Sequence, residues 1–153
     1  MIYLATDHRG FELKEKIKIW LSDWGYACED MGAFEYDEDD DYPDFVAPAA
    51  EKVSADPDKS KAIVLGASGQ GEAMVANKYK NVRAVVFYGN NEEIITLSRQ
   101  HNDANVLSLG ASFVDDENAQ TMIKLWLDTP FSGEERHKRR IDKIKKIENK
   151  KGT

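Results

Sequence analysis

The heptapeptide Gly66-Ala67-Ser68-Gly69-Gln70-Gly71-Glu72 lies between the apolar run AIVL and the helix-like AMVANK. In an open parallel sheet, ligands bind outside the carboxyl ends of the strands, and this loop follows such an end. Glycines let backbone N–H groups approach an anion closely, and a following helix adds the positive end of its dipole. The loop is therefore a candidate cradle for an oxyanion or a phosphate. A plainer reading stands beside it: tight strand-to-helix turns are glycine-rich, and Glu72 is also the kind of first-turn acid that a helix dipole favours.

Two known motifs fail against the loop. Gly66 to Gly71 fits the G-x-x-x-x-G part of a P-loop, but Glu72 stands where lysine is required and Ala73 where serine or threonine would bind the metal. Gly66 to Gln70 approaches the nucleophile elbow G-x-S-x-G, yet it ends in glutamine, and His8, His101 and His137 offer no evident triad partner. Other polar groups stand at segment ends. Asp7 and His8 follow the first apolar run, and His101 with Asn102 closes a helix-like segment just before the last strand-like one. These groups are expected to face one cleft with the loop. The basic cluster RHKRR, with Arg136, His137 and Arg140, reads on its own as a solvated face of a charged helix.

The elements that must position these groups alternate. IYLAT is a short strand, and Phe11, Leu13, Ile17, Trp20, Leu21 and Trp24 follow at largely helical spacing until Gly25 stops the helix. A second strand is predicted near 26–29. The stretch MGAFEYDEDDDYPDF has seven acids among fifteen residues and reads as a solvated loop. A helix from Asp44 to Ser54 follows, with Pro48 near its start. KAIVLG, RAVVFY and NVLSLG are the third to fifth strands, each followed by a helical segment. Short strands without clean alternation, each leading into a helix, predict a five-stranded parallel sheet in a three-layer αβα sandwich of Rossmann type. A last helix over 133–149 has Ile141, Ile144 and Ile147 as its apolar positions, a stripe too narrow to anchor it on its own sheet but suited to lie across a partner subunit.

At 153 residues the chain fits one domain, 1–153, and its 41% hydrophobic content argues for a packed globule rather than a disordered chain. The net charge of −7 gives no general attraction for nucleic acid or an anionic membrane, so an anionic ligand needs a local positive cluster. There is no apolar run of about 18 residues to span a membrane, and MIYLATDHRG lacks the pattern of a signal peptide. A cytoplasmic protein is expected. Cys28 is the single cysteine, which excludes an intrachain disulfide and reads as a small packed thiol.

Several segments together resemble the ribose-5-phosphate isomerase B family, which includes the galactose-6-phosphate isomerase subunits: ATDHRGFELK, DDDYPDF, VLGASGQGEAMVANK, RQHNDANVLSLGA and RHKRRIDKI. They run from one end of the chain to the other in the family's order. The resemblance implies a Rossmann-like αβα fold, a homodimer or a tetramer built from it, active sites shared between subunits, and interconversion of aldose and ketose sugar phosphates without metal or cofactor. Many members carry a cysteine base just after the third strand. That position is Gly66 here, so the chain is similar to the branch in which the glutamate after the loop, Glu72, is the base.

The resemblance further implies His101 as the ring-opening acid–base group, Ala67, Ser68, Gly69, Gln70 and Gly71 as the holder of the enediolate oxygens, Asp7, His8 and Asn102 on the sugar and its phosphate, and Arg136 and Arg140 on the phosphate. His137 and Arg9 are further phosphate-binding candidates. Two positions depart from the pattern. Ser112 replaces an arginine of the family's G-x-R, and Arg9 stands where alanine is usual. A charge-assisted contact of the missing kind is worth roughly 1.5–3 kcal/mol, so Arg9 either compensates or reshapes the pocket for a six-carbon or unphosphorylated sugar. A binding module without catalysis is the alternative from another class.

Overall fold

A computed structural model describes residues 1–150. Five parallel strands, β1 (Ile2–Thr6), β2 (Cys28–Asp30), β3 (Lys61–Gly66), β4 (Ala84–Phe87) and β5 (Val106–Gly110), lie in the order β2-β1-β3-β5-β4. Between and after them run α1 (Phe11–Asp23), α2 (Tyr42–Ala55), α3 (Gln70–Ala76), α4 (Glu92–Gln100), α5 (Asp116–Asp128) and α6 (Glu135–Lys150). Crossovers between parallel strands are right-handed, so the direction of travel across the sheet decides which face receives the helix. β1 to β2 and β4 to β5 travel one way; β2 to β3 and β3 to β4 travel the other. Accordingly α1, α4 and α5 cover one face, and α2 and α3 cover the opposite one.

Side-chain size follows the same division. Successive residues of a strand point to opposite faces, and Ile2, Leu4, Ile63, Leu65, Leu107 and Leu109 all turn toward α1, α4 and α5. Ala5, Ala62, Val64 and Val106 turn toward α2 and α3, where smaller side chains let the helices approach closely. Fully burying each of the larger side chains stabilises the fold by about 1.5–3 kcal/mol. Among the described residues, no helix is long and apolar enough to cross a membrane.

Three local features differ from the sequence expectation. β2 begins at Cys28 rather than near residue 26, because Gly25 and Tyr26 are still closing α1: the Gly25 N–H donates to the Ser22 carbonyl and the Tyr26 N–H to the Leu21 carbonyl. α2 starts two residues early, so that Pro43 occupies its first turn and Pro48 lies in its interior. α6 is anchored on its own chain through His137 and Ile141, both buried, while Ile144 and Ile147 are exposed.

β1 and β3 are neighbours whose connections leave in opposite directions. The crevice between their carboxyl ends is the switch point of the sheet, and it is flanked by Asp7–Arg9 on one side and by the glycine loop on the other.

Candidate active site

The carboxyl edge of the sheet carries the first group of residues. The Thr6 hydroxyl donates to the Leu65 carbonyl at 3.0 Å and ties the exit of β1 to that of β3. Asp7, buried, accepts the Arg9 N–H at 2.9 Å and caps a 3-10 turn over His8–Gly10. Asp40 Oδ1 accepts the His8 N–H at 3.0 Å, and His8 Nδ1 lies 2.7 Å from the same oxygen. Asp7, His8 and Asp40 present polar atoms within 4.8 Å of one another. Tyr36 stands edge-on to the His8 ring, and the Arg9 side chain is exposed.

The glycine loop meets this cluster from β3. Gly69 has φ +76° and presses against the backbone of β5; an added Cβ would lie 2.9 Å from the Leu109 carbonyl carbon, so both conformation and space demand glycine. Ser108 donates its hydroxyl to the Gly69 carbonyl at 2.6 Å, fixing the loop from below. Ser68 Oγ accepts the Gln70 N–H at 3.3 Å as α3 begins.

Gly66 has a different reason. A Cβ built there would sit 1.8 Å from Glu72 Oε1, so the Glu72 carboxyl occupies the volume that any side chain at 66 would need. This carboxyl is buried, at 4% exposure, in the first turn of α3. Burial pushes its pKa up, its own backbone N–H opposes that rise, and the charge of Asp7 adds to it. A buried carboxylate with a raised pKa, in a loop at the switch point, is suited to proton transfer.

The second group lies elsewhere. His101 caps the end of α4, and Asn102 and Asp103 lead toward the first residue of β5, Val106, which pairs with the beginnings of β3 and β4. These residues stand at the amino edge of the sheet, and a five-residue strand separates the two edges by about 16 Å. The expectation that Asp7, His8, the loop, His101 and Asn102 face one cleft is thus corrected: in a single chain they form two clusters. The reason is topological, since the turn that enters a strand and the loop that leaves one lie at opposite ends of a parallel sheet.

The His101 turn is rigidly held. Arg83 Nε donates to the Asn102 and Asp103 carbonyls, each at 2.9 Å, and Arg83 Nη2 pairs with Asp103 Oδ2 at 3.0 Å. Buried Arg99 donates to Asp103 Oδ1 at 2.8 Å and to the Ala104 carbonyl at 2.6 Å. His101 stacks on His137, with ring centroids 4.2 Å apart and planes 16° from parallel. His137 is 2% exposed, and its imidazole lies buried against that of His101. Burial lowers its pKa, and the neighbouring His101 lowers it further. Arg136, paired with Glu134 at 2.8 Å, and Arg140 lie exposed on the same helix.

Sequence reasoning misses Asp40, Arg83, Arg99 and Asp103. Nothing separates Asp40 from its acidic neighbours except the fold. Lys14 is missed too: fully buried, it donates to Asp30 Oδ1 and the Ala33 carbonyl, both at 2.6 Å, pegging the start of the acidic loop beside β1.

The profile of the ribose/galactose isomerase family matches residues 2–144. The chain is 42% identical over 147 residues to ribose-5-phosphate isomerase B of Mycolicibacterium paratuberculosis, covering 96% of this chain and 91% of the relative. It is 39% identical to the protein of the same name from Mycobacterium tuberculosis, covering 96% and 89%. Among solved structures, ribose-5-phosphate isomerase B from Mycoplasma genitalium with bound ribulose-5-phosphate superposes with a TM-score of 0.92 at 39% identity, covering 97% of this chain and 95% of the other. The Clostridium thermocellum enzyme of that name gives 0.89 at 38% identity, with 97% of each chain covered. The chain belongs to the ribose/galactose isomerase family.

Proposed function

We propose that the protein is an aldose–ketose isomerase that interconverts ribose 5-phosphate and ribulose 5-phosphate. The observation that carries the reading is the buried Glu72 carboxyl, set over Gly66 in a glycine loop at the switch point of the sheet. Relatives along nearly the whole chain bear the name of this activity, and one is solved with ribulose 5-phosphate bound.

In the open-chain sugar, ionised Glu72 takes the proton from C2 of the aldose while the C1 carbonyl oxygen gains charge, giving an enediolate. The hydroxyl proton then passes from O2 to O1, the same carboxyl returns its proton to C1, and the product is the 2-ketose. The backbone N–H groups of Ala67 to Gly71, with Ser68, stabilise the enediolate oxygens as charge develops. Asp7 and His8 bind the sugar's oxygens and phosphate from the same edge.

His101, Asn102, Arg136 and Arg140 are contributed by a second copy of the chain, because their own edge lies a strand length from their own Glu72. His101 opens the furanose ring, Asn102 binds a sugar hydroxyl, and the two arginines hold the phosphate. Arg9 supplies the positive charge that Ser112 does not.

The test is turnover of purified protein on ribose 5-phosphate beside allose 6-phosphate, galactose 6-phosphate and free ribose. Preference for ribose 5-phosphate is expected. Preference for another sugar would retain the chemistry and overturn the substrate, and binding without turnover of any of the four would overturn the enzyme.

A further inference from the structure

The geometry points to Asp40 as a positioning residue that grips His8 by backbone and ring together, leaving Nε2 as the ring nitrogen available to the substrate. This inference rests on the isomerase reading of the site. Asp40 and His8 are 32 residues apart, and a single carboxylate oxygen serves both the His8 N–H, at 3.0 Å, and Nδ1, at 2.7 Å. An ionised carboxylate only accepts hydrogen bonds, so Nδ1 carries the proton.

Asp40 has no other evident task. It lies just ahead of α2, yet the N-cap of that helix is Asp41, which makes no side-chain cap, and the Asp40 carboxylate reaches the exit of β1 instead. Its side chain is 8% exposed, and its Oδ2 is buried without a partner. An unsatisfied buried oxygen is unfavourable, so a neutral side chain would serve a purely structural link at least as well. An acceptor oxygen fixed against Nδ1 is useful where an imidazole must be held in one tautomer and one orientation. Tyr36 limits the ring from the side, Asp7 is the other carboxylate against it, and Arg9 is the adjoining cation. The acid-rich loop thus has a purpose beyond solvation: it delivers one carboxylate to the substrate-binding histidine.

The experiment combines a double-mutant cycle with nitrogen-15 NMR of the histidine rings in the full chain. Asp40→Ala should raise KM for ribose 5-phosphate about tenfold, the scale of one charged hydrogen bond, with a much smaller change in kcat. In a His8→Ala background the same substitution should add nothing further, because Asp40 acts through His8. Asp40→Asn keeps an acceptor oxygen and should bring KM most of the way back to the parent value, which separates positioning from misfolding. Without substrate, the His8 signals should show Nδ1–H in the parent and in Asp40→Asn, and a shift toward Nε2–H in Asp40→Ala. Additive losses, or unchanged His8 signals in Asp40→Ala, would overturn the inference. The NMR arm needs no turnover, so an inactive enzyme with the expected tautomer shift would count against the functional reading alone.

Discussion

The two edges of the sheet carry chemically different halves of the candidate site. At the carboxyl edge, Asp7 and Glu72 are buried at 7% and 4% exposure, the loop is locked by Ser108, and His8 is gripped by Asp40. At the amino edge, Arg136 and Arg140 are exposed and His101 is half-buried on its stacked partner. The first half is buried and gathers negative charge; the second gathers positive charge on exposed side chains. A phosphorylated sugar needs both, a base at its carbonyl end and cations at its phosphate, so the difference explains why the proposed site takes one half from each of two chains. A cavity of about 590 Å³ between the exposed end of α6 and the start of β4 lies on the same amino edge, with Ile144, Ile147, Val82 and Asn102 among its walls.

The largest expected effect breaks the carboxyl half alone. Glu72→Gln should lower kcat by roughly 10²–10⁴-fold while leaving ribose 5-phosphate binding nearly intact, measured by turnover and calorimetry. Retained activity would remove Glu72 from the mechanism. The second effect tests whether the halves come from different chains. His101→Ala and Glu72→Gln proteins, each weakly active alone, should regain a substantial fraction of wild-type activity after being unfolded and refolded as a mixture, because a mixed dimer rebuilds one intact site. No recovery would mean that each chain supplies both halves.

A smaller effect concerns the amino half by itself. Arg140→Ala should raise KM about 10- to 100-fold with little loss of kcat, as expected when one charge-assisted contact to the phosphate is removed. Equal losses for free ribose and ribose 5-phosphate would show that this arginine does not read the phosphate.

The smallest effect is a pH dependence. Burial raises the Glu72 pKa in the folded state, so the native chain binds the proton more tightly than the unfolded chain. The stability this confers is complete below the ordinary carboxylate value and is lost as pH rises through the raised one. Melting temperatures should therefore show Glu72→Gln more stable than the parent at neutral pH, with the gap closing on acidification. Over the same window kcat/KM should climb with pH as the base ionises, and a stability gap independent of pH would refute the buried charge.

Much of the carboxyl half is legible in the amino-acid sequence. Gly69, Ser68 and Glu72 stand within five residues, and local spacing alone places a loop, an anion cradle and an acid at one strand exit. Asp40 is not legible, because in the run EYDEDDD every acid looks alike and only the path of the chain beside β1 selects one. The basic neighbours of His137 suggest a phosphate ligand, yet its ring turns inward; charge clustering along a chain says nothing about which side of a helix faces the core. Pro48 reads as a start signal only while α2 is taken to begin at Asp44, two residues beyond its true start at Tyr42.

By itself the sequence determined the alternation of strands and helices, the parallel sheet and the chemistry of each motif, since periodicity, turn residues and side-chain functional groups are local properties. Only the tertiary structure decided that Glu72 fills the space above Gly66, that Asp40 holds His8, and that His101 lies at the far edge of the sheet from Glu72. Those are consequences of strand order and close packing, which bring together residues distant in the chain and part others whose positions at segment ends suggest a single cleft.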